Sequence, residues 1–142
     1  MRGVFLKRYS RFRKAVDFLK QLLSMDPDKI IEDYTLVSSL ERNIQVVVEF
    51  IIDLSNYILS ETTHEIPDTY KEIISRVSRV CSIEDSLTKE VKGIVGLRNI
   101  IVHLYADIDY DLVLSELKGI VDCVLEYTLK LTKCMDKLGI DP

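Results

Sequence analysis

The sequence predicts an all-α fold, an antiparallel bundle of about five helices. Three observations predict it. Apolar residues recur at three- and four-residue spacing through most of the 142 positions. Only five glycines and three prolines interrupt the chain. Side chains suited to helix starts and stops stand at the ends of the periodic segments. Residues 1–142 form one domain with no internal boundary, long enough to bury a hydrophobic core. β-branched residues are frequent, but their spacing and the caps favour helix over strand.

The first helix is expected from Val4 to Leu23, with Phe5, Phe12, Val16, Leu19 and Leu23 inward. Asp26 reads as an N-cap followed by Pro27 at the first helical position, where a missing N–H costs nothing. The segment that follows extends to about Ser60, with a bend expected near Ser38-Ser39. Its apolar face is Leu40, Ile44, Val47, Ile51, Leu54 and Ile58; its polar edge is narrow: Gln45, Glu49, Asp53, Asn56 and Ser60. A helix so apolar elsewhere must be covered on more than one side and belongs at the centre. Glu61–Ile66 reads as a loop, and Pro67 as the start of a short helix with Tyr70, Ile73, Ile74 and Val77 inward. Ser82 with Asp85 approximates a reciprocal cap for a helix ending near His103 or Tyr105. Asp107–Asp109 makes a turn, with Asp109 capping a last helix that carries Leu112, Val113, Leu117, Ile120, Val121, Val124, Thr128 and Leu131. Gly139 stands at its C-cap.

Composition narrows the function. The odd count of three cysteines, Cys81, Cys123 and Cys134, without a close metal-binding pair, reads as free thiols in a reducing cytosol. The start is too soon charged for a signal peptide. The run from Val46 to Leu54, broken by Glu49 and Asp53, falls short of the roughly 20 apolar residues of a membrane span. The net charge of −4 is unevenly spread: residues 1–20 hold seven Lys or Arg and one Asp, leaving −10 on the remainder. That basic start is either a solvated helix face or a local site for phosphate or an acidic partner. There is no glycine-rich phosphate loop, no HExxH and no dense Cys/His cluster, so neither metal nor cofactor is expected.

The chemistry concentrates in Arg98-Asn99-Ile100-Ile101-Val102-His103-Leu104-Tyr105. On a helix, Thr88, Lys92, Gly96, Asn99 and His103 share one face, while Leu87, Ile94, Leu97, Ile101 and Leu104 make an apolar one. Asn99 and His103 are one turn apart and can meet the same ligand. Gly96 permits close approach of a helix or substrate. Arg98 falls inside the apolar arc, where a charge needs a carboxylate, a phosphate or an escape to solvent. It lies about 140° around the helix from His103, so the two do not stack directly and a twofold partner can close the site. An imidazole for proton transfer and a guanidinium for phosphorane charge suit metal-independent phosphodiester cleavage. The plainer reading pairs Arg98 with Glu49 or Asp53 and lets His103 close a helix end. The Glu49 and Asp53 pair could also hold one divalent ion. His64, in a polar loop, reads as an ordinary surface histidine.

Arg98-Asn99-x-x-x-His103-x-Tyr105 resembles the signature of the HEPN superfamily, in its HepT-like toxin branch. Leu40–Gln45 with Ile52–Ile58 resembles that branch's central helix, and Ile66–Glu72 its loop and third helix, a resemblance over roughly residues 30 to 130. It implies a homodimer built around the central and signature helices, with ribonuclease activity, and a minimal nucleotidyltransferase antitoxin as partner. It makes Arg98 and His103 the catalytic pair, Asn99 a substrate-positioning residue, Asp53 and Glu49 supports, and Tyr105 a position for modification with AMP. The alternative is a helical module that binds a nucleotide or a partner without cutting RNA.

Overall fold

The computed structural model describes residues 1–103 and 108–142. Among them stand six helices: α1 (Gly3–Leu22), α2 (Pro27–Glu32), α3 (Tyr34–Thr62), α4 (Tyr70–Val80), α5 (Asp85–His103) and α6 (Tyr110–Leu138). The sixth arises where about five were expected. Asp33, extended at φ −101° and ψ 105°, divides α2 from α3 and accepts hydrogen bonds from the N–H groups of Thr35 and Leu36. The chain therefore turns at this cap, and α3 runs unbroken through Ser38-Ser39.

α3 packs against each of the other five helices. All six residues of its expected apolar face are at most 1% exposed, and Val48, Phe50, Ile52 and Leu59 are buried as well. This burial on several sides is what the narrow polar edge required. One continuous hydrophobic cluster draws on every helix. In α1 the inward row is Phe12, Ala15, Val16, Leu19 and Leu22; Leu23, expected inside, lies one residue past the helix and is exposed. Leu112 is exposed too, whereas the other apolar positions expected of α6 are buried.

The end signals differ in how well they hold. Asp26 caps α2, Asp109 caps α6, and Gly139 closes α6 at φ 69°. α3 continues to Thr62, past the expected loop start, and α4 begins at Tyr70 rather than Pro67, because the Thr69 hydroxyl accepts from Glu72 N–H. Ser82 does not cap α5. It sits in the α4–α5 turn at φ 54°, and the Glu84 carbonyl accepts the N–H of Thr88 at the helix start.

α4 is tied to α6 twice. The hydroxyls of Ser78 and Tyr127 meet at 2.6 Å in the core, where burial pushes the Tyr127 phenol up to about 12. Cys81 and Cys134 form a disulfide, so two of the three thiols expected free are paired. The sequence gives no hint of this, since 53 residues separate them. Cys123 is the free cysteine, and burial pushes it up to about 12, away from thiolate chemistry. Among the described residues no helix is long and apolar enough to cross a membrane.

Closing a loop of this length stabilises a chain by about 2–4 kcal/mol. Cys81→Ala is expected to lower the urea-unfolding free energy by about that amount under oxidising conditions. Adding dithiothreitol should lower the parent protein similarly and leave the variant nearly unchanged.

Candidate functional site

The site is built on the second half of α5. Its register places Val91, Ile94, Val95 and Ile101 in the core. Arg98 belongs to the same arc, and its side chain is only 14% exposed. A guanidinium so placed needs compensation, and three helices supply it. Glu49 of α3 receives a bond from Nη2 at 3.1 Å. The Tyr70 ring at the start of α4 lies under the guanidinium carbon, 4.9 Å from the ring centre. Within α5, Nη1 donates to Asn99 Oδ1 at 3.2 Å. Nε is buried with no partner among the described residues, a cost the other contacts offset.

The structure thus brings together Arg98, Asn99 and Glu49 of the expected site residues. It does not bring in Asp53. That carboxylate, one turn along α3, pairs with Arg8 of α1 at 3.2 Å. Burial pushes the Asp53 carboxyl above the usual range, Arg8 pulls it back, and Glu49 adds a smaller upward push. The two α3 carboxylates therefore hold arginines from different neighbours. Among the described residues no group of three or more His, Cys, Asp or Glu side chains is placed to hold a metal ion.

His103 ends α5 and is exposed. Among the described residues no hydrogen bond joins it to Arg98. It shares a face with Asn99, however, so the Arg98–Asn99 bond links the guanidinium to the imidazole side of the helix. Tyr105 lies outside the described residues. Just beyond them, the Tyr110 hydroxyl donates to Glu41 of α3 at 3.0 Å and fixes where α6 begins. Gly96 is approached by the end of the Lys71 side chain from α4, with Nζ 3.4 Å from where a Cβ would stand. Sequence reasoning missed Tyr70 and Lys71 as neighbours of this helix. An aromatic at helical spacing reads as core, and only the fold shows which ring the arginine meets. His64 is exposed at φ 59° in the α3–α4 connection.

Comparison with known proteins bears on the fold and the family. The family model described as "Ribonuclease HepT-like" matches residues 12–131. An mRNA nuclease HepT of Shewanella oneidensis is 26% identical over 113 residues, covering 80% of this chain and 84% of that protein. A tRNA nuclease HepT of Aphanizomenon flos-aquae is 28% identical over 96 residues, covering 68% and 65%. Among solved structures, a tri-AMPylated Shewanella oneidensis HEPN toxin in complex with an MNT antitoxin superposes with a TM-score of 0.81. It is 22% identical, and the match covers 94% of this chain and 99% of that one.

The contacts of Arg98 and the exposure of His103 predict unequal stability losses for their alanine variants. Arg98→Ala loses packing on Tyr70 and leaves Glu49 unpaired, a cost of about 1–3 kcal/mol. His103→Ala should change stability by no more than about 0.5 kcal/mol. Urea unfolding of the two variants side by side measures the difference.

Proposed function

This chain belongs to the HepT-like ribonuclease family, and on that footing we propose that it is a metal-independent endoribonuclease toxin whose catalytic pair is Arg98 and His103. The observation that supports the pair is the Arg98–Asn99 hydrogen bond, which couples a largely buried guanidinium to the face carrying an exposed imidazole. The two groups do not meet within one protomer. The reading therefore includes a homodimer around α3 and α5, in which a second copy completes the cleft. Residues 1–142 act as one HEPN-like domain in the cytoplasm, with RNA as substrate.

In the proposed reaction the ribose 2′-oxygen attacks the adjacent phosphorus while its proton passes to a base. The bond to the 5′-oxygen breaks, and that oxygen takes a proton. The products are a 2′,3′-cyclic phosphate and a 5′-hydroxyl. His103 moves a proton in one of these transfers. Arg98 stabilises the charge on the non-bridging phosphoryl oxygens through its terminal N–H groups. Asn99 positions a phosphate oxygen, and Glu49 sets the direction of the guanidinium. Asp53 supports α3 through Arg8 rather than touching Arg98.

A second reading has an observation in its favour. Glu49 and Tyr70 compensate the Arg98 charge without any ligand, as in a helical module that binds a nucleotide or partner but does not cut RNA. Purified protein incubated with RNA in excess chelator separates the two. Cleavage with cyclic-phosphate ends, slowed about 100-fold or more by His103→Ala, is expected of the nuclease. Binding with no turnover selects the module, and equal cleavage by both proteins removes His103 from the chemistry.

The proposed partner is a minimal nucleotidyltransferase antitoxin, as in the complex of the related Shewanella toxin. It would transfer AMP to Tyr105, two positions from His103, adding bulk and negative charge beside the RNA phosphate. Magnesium and ATP serve that partner. Mass spectrometry after co-expression should show added adenylate on the parent chain and none at position 105 of Tyr105→Phe. Inhibition of cleavage with Tyr105 unmodified would overturn this route.

A further inference from the structure

α4 and α5 form an antiparallel hairpin, and the groove between them is basic in a protein of net charge −4. On α4, Lys71, Ser75 and Arg79 follow at four-residue spacing and share a face. On α5, Lys89, Lys92, Gly96, Asn99 and His103 fall within about 100° of one another around the helix. The two rows face each other. Ser75 and Arg79 line a cavity of about 370 Å³ together with Thr88, Lys89 and Lys92. Further along, Lys71 reaches Gly96. Beyond the start of α4 the α5 row continues uncovered by it to Asn99 and His103.

The charges in this groove are not spent internally. Lys71, Arg79, Lys89 and Lys92 make no ion pair among the described residues. One carboxylate, Asp85, lines the cavity. The cleft between α1 and α3 differs. It also holds arginines, Arg8, Arg11 and Arg42, but Glu49 and Asp53 line it and Arg8 is already paired. Four cations that make no ion pair along one groove, against a single lining carboxylate, suit a polyanion. Lysines and an arginine at the groove edges, with the Ser75 hydroxyl between, suit the phosphates of a strand. Lys92 lies eleven residues from His103, about 16 Å along the helix, several times the roughly 3.4 Å between stacked nucleotides of one strand.

We infer that the α4–α5 groove is an RNA-backbone track, in which Lys71, Arg79, Lys89 and Lys92 hold phosphates of a single strand whose scissile linkage lies at His103. This rests on the reading of Arg98 and His103 as the cleavage pair and adds the path by which substrate reaches them. The four are positioning residues. They raise affinity for longer strands and do not touch the reacting atoms.

The test uses K89Q/K92Q and K71Q/R79Q, with K133Q/K137Q on α6 as a control that removes the same charge elsewhere. Each protein, its fold checked by thermal unfolding, is titrated with a labelled single-stranded RNA over a range of salt. Cleavage of that RNA and of a dinucleotide is timed in chelator. Either groove variant should weaken binding of the long strand about tenfold at low salt and flatten the slope of log affinity against log salt by about 1.4, two phosphate contacts' worth. KM should rise more for the long strand than for the dinucleotide, while the control behaves as the parent. Equal affinity and slope in groove variants and control would overturn the track and leave the catalytic pair standing. Groove-dependent binding without cleavage by the parent would keep the track and remove the pair. A parent protein that neither binds nor cuts would overturn both.

Discussion

A guanidinium at the edge of the core sets the terms for the functional end of this molecule. Arg98 occupies a position that the helical register assigns to an apolar residue, and burying its charge unpaired would cost several kcal/mol. The structure answers with a carboxylate from α3, an aromatic face from α4 and an amide from its own helix. Three helices must therefore be in register for the charge of one side chain to be compensated. The same demand explains the narrow polar edge of α3. Glu49 and Asp53 are the two places where a central helix, otherwise covered by apolar neighbours, reaches out to an arginine from α5 and from α1.

Much of this was legible before any coordinates, for local reasons. Helical spacing and short-range capping act within a few residues, so α3's buried face, the Asp26 and Asp109 caps and the Gly139 stop could be read directly. Errors at the ends have local causes as well. Asp33 competes as a cap within a polar stretch, and Thr69 outcompetes Pro67 because its hydroxyl can reach a free N–H. What could not be read depends on long-range partners. Glu49 and Asp53 are one turn apart on the same face, so spacing alone left both open as the mate of Arg98. The choice is made by where α1 brings Arg8. Tyr70 gave a core signal because its interaction is with a helix met much later in the chain. The Cys81–Cys134 link joins positions whose proximity only the packing of α4 on α6 creates. The paired rows of the α4–α5 groove became visible once the hairpin fixed which lysines face which.

Order along the hairpin also relates stability to access. α4 is fastened at its C-terminal half, through Ser78 to Tyr127 and through Cys81 to Cys134, while its first turn bears on Arg98 and Gly96 through Tyr70 and Lys71. The cross-linked half lies away from Arg98, and the end that touches the site is held by side-chain packing, with Ile73 and Ile74 buried behind it. The first turn of α4 is thus held by packing and its Thr69 cap, without a covalent link.

The unequal embedding of Arg98 and His103 has an evolutionary consequence. A cell relieved of a harmful nuclease by random mutation samples changes that silence it without unfolding it. If the proposed pair does the chemistry, an exposed imidazole at a helix end offers many such changes, whereas a guanidinium wedged between three helices offers few. Decayed descendants of a gene like this one would keep the arginine long after the histidine had drifted, and their arginine would be a relic of packing rather than a sign of surviving activity.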